Sequence, residues 1–187
     1  MSARQDADAL TMPVLERAAL RYLERYASSR ATLRRVLLRR VAKAARGDEE
    51  KAAAGRALVE ALIERYVQSG LLDDARYAEA KAGGLARAGA SRYRIRGKLM
   101  QKGVAADHIA DAIAALDERG EGSEPAAAGA LIRKKRLGPY RRPGDRAKFR
   151  DKDLAALARA GFALGLARRL LGAPDVETLE RMAGGEE

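Results

Sequence analysis

His108 is the only imidazole in the chain, so any general acid–base or metal chemistry built on histidine would have to run through it. One imidazole makes no metal-binding pair, and no Ser–His–acid motif surrounds it; it reads as a structural or solvated residue in the first turn of a helix. Cysteine is absent, which removes thiolate nucleophiles, thiolate metal sites and disulfides, and fits a reducing compartment. Gly97–Lys98 lacks the upstream glycine that a phosphate-cradling loop needs. The adjacent carboxylates Asp73 and Asp74 resemble an acid–base pair, but just after Gly70 they read as a helix start: one caps, the other complements the dipole. Gly161 and Gly165 are spaced for close helix packing. The expectation is a protein without catalytic residues, cofactor or metal.

What the sequence does concentrate is positive charge. Lys and Arg number 37 against 26 Asp and Glu, a formal net charge of +11, which favours a polyanionic or acidic partner. GC-rich coding alone yields an Arg- and Ala-rich chain, but it does not segregate charges. From Arg30 to Arg46 there are seven cations and no acid, among them Arg34, Arg35, Arg39 and Arg40. From Arg92 to Lys102 there are five, again without an acid: Arg92, Arg94, Arg96, Lys98 and Lys102. A third group holds Arg133, Lys134, Lys135 and Arg136, then Arg141 and Arg142. These are the candidate partner- or nucleic-acid-binding residues; such a surface binds phosphates with an affinity that falls as salt rises. Tyr93 and Tyr140 lie within the basic segments, where stacking on bases, anchoring a protein contact and, for Tyr93, core packing are all open.

The elements that position these residues are helices. Val, Ile and Thr total only fifteen residues, too few for a substantial sheet, and aromatics are 4%. Ala, Leu, Arg and Glu fill the long segments, so the fold class is all-α. The periodicity predicts helices from Pro13 to Tyr26 (Leu20, Leu23 and Tyr26 inward), from Ser28–Ser29 (Leu33, Leu37, Val41), and through Leu58, Leu62 and Tyr66 to Gly70. Further helices run from Asp73 to about Ala88, with a bend or early end at Gly83–Gly84, from Ser91 (Ile95, Leu99), and from Asp107 (Ile109, Ile113, Leu116). The last set is Ala126 to Leu137, Lys148 to Ala160 and Phe162 to Leu171, with LGPYRRPGD as a loop and a weak helical stretch near Val176 to Met182. No apolar run reaches the ~18 residues of a membrane span, and Met1 to Leu10 lacks the basic-then-apolar pattern of a secretory signal; the expected location is the cytoplasm.

The helices recur in triplets. Ser29, Leu33 and Leu37 have the spacing of Ser91, Ile95 and Leu99; Leu99, Gly103 and Val104 match Leu157, Gly161 and Phe162. This implies a repeat of three-helix units that bury their cores against neighbours in an elongated or curved array. The expected division is 13–70 with an insertion near 44–55, 71–117, a linker 118–125 (ERGEGSEP), 126–172, and a weakly ordered tail 173–187. Both acid-free basic runs then fall on the middle helix of their unit.

The segment SGLLDDARYAEA (Ser69 to Ala80), followed by SRYRIRGKLMQKGVAADHIADAI (Ser91 to Ile113), resembles the RecX regulatory family: its Leu-Asp-Asp helix start, then its basic helix ending in Lys-Gly-Val. KKRLGPYR and KDLAALARAGFALGLARRLL are similar to that family's C-terminal repeat with its Gly-Phe turn. The resemblance runs from about Ala18 to Leu171. It implies three three-helix repeats in a protein that binds the recombinase RecA and its DNA filament, lodging in the filament groove or capping its growing end; separately, a monomer is expected. Inhibition of filament growth, strand exchange and coprotease stimulation is the implied outcome, with direct DNA binding in some members and no catalytic residues. The insertion after Val41 and the Gly83–Gly84 pair depart from the family pattern.

The alternative from the residues is a helix-turn-helix-like DNA-binding protein without RecA. Such a protein concentrates base-reading polar residues at one helix start. Here Asn is absent and Gln is scarce, which disfavours direct base readout.

Overall fold

The computed structural model describes residues 10–184, and among them every regular element is helical. The expectations placed on Met1 to Ala9 and on the last three residues of the tail lie outside the described residues. The helices are α1 (Met12–Leu23), α2 (Arg30–Ala45), α3 (Glu49–Gln68), α4 (Asp74–Arg87), α5 (Arg92–Gln101), α6 (Ala106–Glu118), α7 (Glu124–Lys135), α8 (Pro143–Arg159), α9 (Leu164–Leu171) and α10 (Val176–Gly184), with a 3₁₀ turn at Gly138–Tyr140. They segregate into two compact units: one holds residues up to Ala78 with Met100–His108, the other Glu79–Leu99 with the residues from Ile109 onward.

In the first unit the Ser29 side chain accepts the Thr32 N–H (3.2 Å) and starts α2. Leu33, Leu37 and Val41 then meet Val59, Leu62, Ile63 and Tyr66 of α3, with Leu15 and Ala19 of α1 closing the core. Full burial of each large side chain contributes about 1.5–3 kcal/mol. The inward face of α1 differs from expectation. Val14, Leu15 and Ala19 are buried and Leu23 packs on the core edge, whereas Leu20, one residue past the Leu15–Ala19 stripe, and Tyr26, beyond the helix end, are exposed.

The expected insertion near 44–55 is mostly helix. After α2 only a short turn separates it from Asp48, which caps α3 by accepting the Lys51 N–H (2.9 Å). Gly55 is a packing position: a Cβ there would lie 2.6 Å from Val41 Cγ1. Gly83–Gly84 does not end α4, which runs unbroken through the pair and buries Ala78, Ala82 and Ala86. The linker is shorter than 118–125, since α6 runs through Glu118 and Ser123 caps α7.

In the second unit Ile132, Leu137, Leu157, Phe162, Leu170 and Leu179 form the core. The expected loop 137–145 gives way to helix at Pro143, where a missing N–H is harmless. The tail is ordered over Val176–Gly184: Leu179 is fully buried, and Gly129 of α7 lets Ala183 approach so closely that a Cβ would lie 2.6 Å away.

The matched spacings correspond to one repeated piece of geometry. Ser29 Oγ donates to the Lys102 carbonyl (2.5 Å), and the Arg30 N–H donates to Asp74 Oδ1 (2.8 Å). Ser91 Oγ likewise donates to the Ala160 carbonyl (2.6 Å), and the Arg92 N–H to Glu124 Oε1 (2.5 Å). Each accepting carbonyl precedes a left-handed glycine, Gly103 (φ 73°) or Gly161 (φ 86°), that lets the serine-capped helix start come close. A Cβ on Gly161 would sit 2.6 Å from the Tyr93 ring. Ser91→Ala removes the cap on the Arg94 N–H and leaves the Ala160 carbonyl without its donor, so a loss of about 1–3 kcal/mol is expected in chemical denaturation. A change under ~0.3 kcal/mol would remove Ser91 from the structural account.

Candidate partner-binding surface

The residues that most resembled catalytic groups are taken up by structure. Asp73 caps α4 through the Arg76 N–H (3.0 Å), and Asp74 receives the Arg30 N–H. His108 is half-buried in the first turn of α6. Gly97–Lys98 lies inside α5, where no phosphate loop forms. Gly165 meets nothing within 4 Å, so of the spaced glycines only Gly161 makes a close approach. Among the described residues no group of three or more His, Cys, Asp or Glu side chains is placed to hold a metal.

The cations divide into those held by ion pairs and those left to solvent. On α2, Arg34 pairs with Glu60 (2.6 Å) and Arg30 with Glu64 (3.0 Å); both pairs are about half exposed and contribute little to stability. Arg35 and Arg39 are exposed, without an ion-pair partner among the described residues. Together with Arg34 they wall a shallow groove of about 400 Å³ floored by Ala31, Leu38 and Ala42. Arg40, less exposed, lies at the rim of a second groove shared with α1.

On α5 the helix buries Ile95 and Leu99 and turns the rest outward. The Arg92 guanidinium is engaged by Asp117, but Arg94, Arg96 and Lys98 are exposed with no ion-pair partner among the described residues. Lys102 is half-buried at the helix end, its carbonyl taken by Ser29. Tyr93 resolves to the surface, 73% exposed, lying against Gly161.

The third group is largely structural. Arg133 grips Glu180 of α10 with Nε (2.9 Å) and Nη2, and the Tyr140 hydroxyl donates to the same carboxylate (2.6 Å). The hydrogen bond with Glu180 raises Arg133 and Tyr140 above their ordinary pKa values; the bonds from Arg133 and then Tyr140 lower Glu180. Arg136 lies over the Tyr140 ring at 5.9 Å. Arg141 is committed to Asp153, Nε at 2.7 Å and Nη2 at 2.6 Å. Only Lys134, Lys135 and Arg142 of this group are exposed with neither an ion-pair nor an aromatic partner among the described residues.

Asp153 was not legible as a functional or structural residue, although the repeat spacing marks it. Leu37, Leu99 and Leu157 correspond, so four residues earlier Leu33 and Ile95 correspond to Asp153. A carboxylate, 2% exposed, occupies a core position and is satisfied by Arg141 and the Gly138 N–H (2.9 Å). Burial alone would raise its pKa, but these hydrogen bonds hold it below the usual carboxylate range.

The described residues thus define an all-helical protein in which α2 and α5 carry exposed cations. The family model described as the second three-helix domain of RecX matches residues 73–113, which cover α4, α5 and the first part of α6. A regulatory protein RecX from Myxococcus xanthus (strain DK1622) is 47% identical over 158 residues, 84% of this chain and 83% of that protein. Proteins of the same name from Agrobacterium fabrum (36% over 100 residues, 54% of this chain and 51% of that one) and Thermobifida fusca (34% over 115 residues, 61% and 60%) are also similar. No solved structure matches the chain. The chain belongs to the RecX family of regulatory proteins.

Proposed function

We propose that this chain is a non-enzymatic, cytoplasmic and monomeric regulator that binds RecA and its nucleoprotein filament and inhibits recombinase activity, through cationic helix faces that also contact DNA. The carrying observation is α5, inside the segment matched to the family's second domain, which exposes Arg94, Arg96 and Lys98 without an ion-pair partner among the described residues. Unpaired surface cations gain little for the fold but attract the phosphates of a DNA filament. The recurrent Ser29 and Ser91 junctions support a series of three-helix repeats, with acid-free basic runs on the middle helices of the first two.

The test uses the immobilised full chain with RecA, with and without single-stranded DNA and nucleotide, alongside ATP hydrolysis by RecA on single-stranded DNA. Retention of the nucleotide-bound filament and reduced hydrolysis are expected. Alone with single-stranded DNA, binding should be weak, sequence-tolerant and steeply salt-dependent. Unaltered hydrolysis and no RecA retained, with DNA still bound, would make this a DNA-binding protein outside RecA control.

A further inference from the structure

We infer a nucleobase-stacking site in the first unit, at the groove between α1 and α2, that takes single-stranded DNA. It rests on the DNA-contacting part of the proposed function and places one such contact away from α5. Beyond Leu23 the chain makes one more helical turn, with the Arg25 and Tyr26 N–H groups donating to the Tyr22 carbonyl (3.2 and 3.0 Å). That turn sets Tyr26 beside Tyr22, ring centroids 5.1 Å apart and planes tilted by 42°. Tyr22 packs on the edge of the core, whereas Tyr26 is 57% exposed.

Next to Tyr22 lies a groove of about 300 Å³ with an apolar floor of Ala18, Val36 and Leu37 and with Arg21 and Arg40 also lining it. Three chemistries meet at this end of α1: the Tyr22 wall of the groove with exposed Tyr26 packed beside it, an apolar floor, and the Arg21 guanidinium at the edge. A phosphate alone would use the arginines and leave the rings and floor wet. The carboxylates of an acidic peptide would likewise use the arginines and leave the tyrosine rings uncovered. An unpaired nucleotide satisfies all three, its base against Tyr26 and its phosphate on Arg21, and without sequence preference because every base has a π-face.

The experiment follows fluorescence anisotropy of a labelled thymidine oligonucleotide of ~16 nucleotides, and of the same backbone with abasic sites throughout its centre, against the full chain at low salt. Tyr26→Ala is expected to weaken binding of the thymidine strand by about tenfold and to leave the abasic strand's affinity unchanged. Tyr26→Phe should retain the wild-type affinity. Because Tyr26 is exposed, circular dichroism of both variants should match wild type. Independently of any substitution, a 5-iodouracil strand should photo-cross-link to Tyr22 or Tyr26 in the wild-type chain. Equal affinity of the wild type for both strands, an equal loss on both in Tyr26→Ala, or cross-links confined to other residues would overturn the stacking site while leaving DNA binding in place. No binding of either strand would overturn the site and the DNA-contacting reading together.

Discussion

Arg141→Met is expected to destabilise the second unit by about 3–5 kcal/mol at pH 7, the cost of leaving a buried carboxylate without its partner. Asp153 is 2% exposed and takes two hydrogen bonds from Arg141 and one from the Gly138 N–H. Without Arg141 only the Gly138 N–H remains, and burial then pushes the carboxyl pKa up instead of down. The pH dependence separates the two proteins. In the wild type the depressed Asp153 pKa contributes stability that is fully present above the unfolded carboxylate value of about 3.9 and is lost as pH falls through the lower folded value. In the variant the raised pKa reverses the sign, so the gap to wild type should shrink as the pH is lowered from 7 towards 4. A second change tests the repeat register: Asp153→Leu on the Arg141→Met background restores the residue type of Leu33 and Ile95 and should recover much of the loss, short of about 1–3 kcal/mol for the orphaned Gly138 N–H. Urea denaturation at several pH values reads all of this. A cost below ~1 kcal/mol for Arg141→Met would mean that the carboxylate finds other partners.

Helices whose inward residues are large were legible from spacing. Leu33, Leu37 and Val41 of α2, and Ile95 and Leu99 of α5, sit where a 3.6-residue period puts them, and Ser29, Asp73 and Ser91 start their helices as short polar side chains should. Legibility failed where the inward residues are small. The first turns of α3 bury only Ala52 and Gly55, and α4 buries Ala78, Ala82 and Ala86, so neither offers an apolar stripe against a polar background. Gly83 and Gly84 then looked like a break because their propensity cost was visible and the tertiary packing that outweighs it was not. The tail helix was underrated for a related reason: Leu179 and Ala183 are two inward positions on a short segment, and their anchorage comes from Gly129, Arg133 and Tyr140 far away in sequence. The basic clusters were visible as composition, but which members are spent on structure was not. Arg133 and Arg141 read like Lys134 and Arg142, and only the fold reveals Glu180 and Asp153 beside them.

That sorting sharpens the test of the working surface. Arg94→Gln, Arg96→Gln and Lys98→Gln together are expected to abolish inhibition of RecA while leaving the fold intact. Arg92 stays out of the set because its guanidinium is held by Asp117 and its N–H by Glu124, so changing it would mix a packing effect with a binding effect. The three chosen cations lie on the flanks of α5, Arg94 and Lys98 one turn apart on one side and Arg96 on the other, with Ile95 and Leu99 between them facing the core. They carry no ion pair among the described residues, so exchanging each for glutamine should shift stability by no more than about 0.5 kcal/mol. Single changes should each weaken inhibition partially, since a long-range attraction is shared among the charges. Raising the salt should erode the wild-type effect towards that of the triple variant, because screening acts on the same interaction. The contrasting control is Leu99→Ala: this side chain is fully buried, and its truncation should cost about 2–5 kcal/mol and lower activity through unfolding, visible by circular dichroism. The readout is ATP hydrolysis by RecA on single-stranded DNA over a range of chain concentrations. A well-folded triple variant that still inhibits fully at wild-type concentrations would take α5 out of the binding surface and leave the cations of α2, Arg35 and Arg39 first, as the residues to change next.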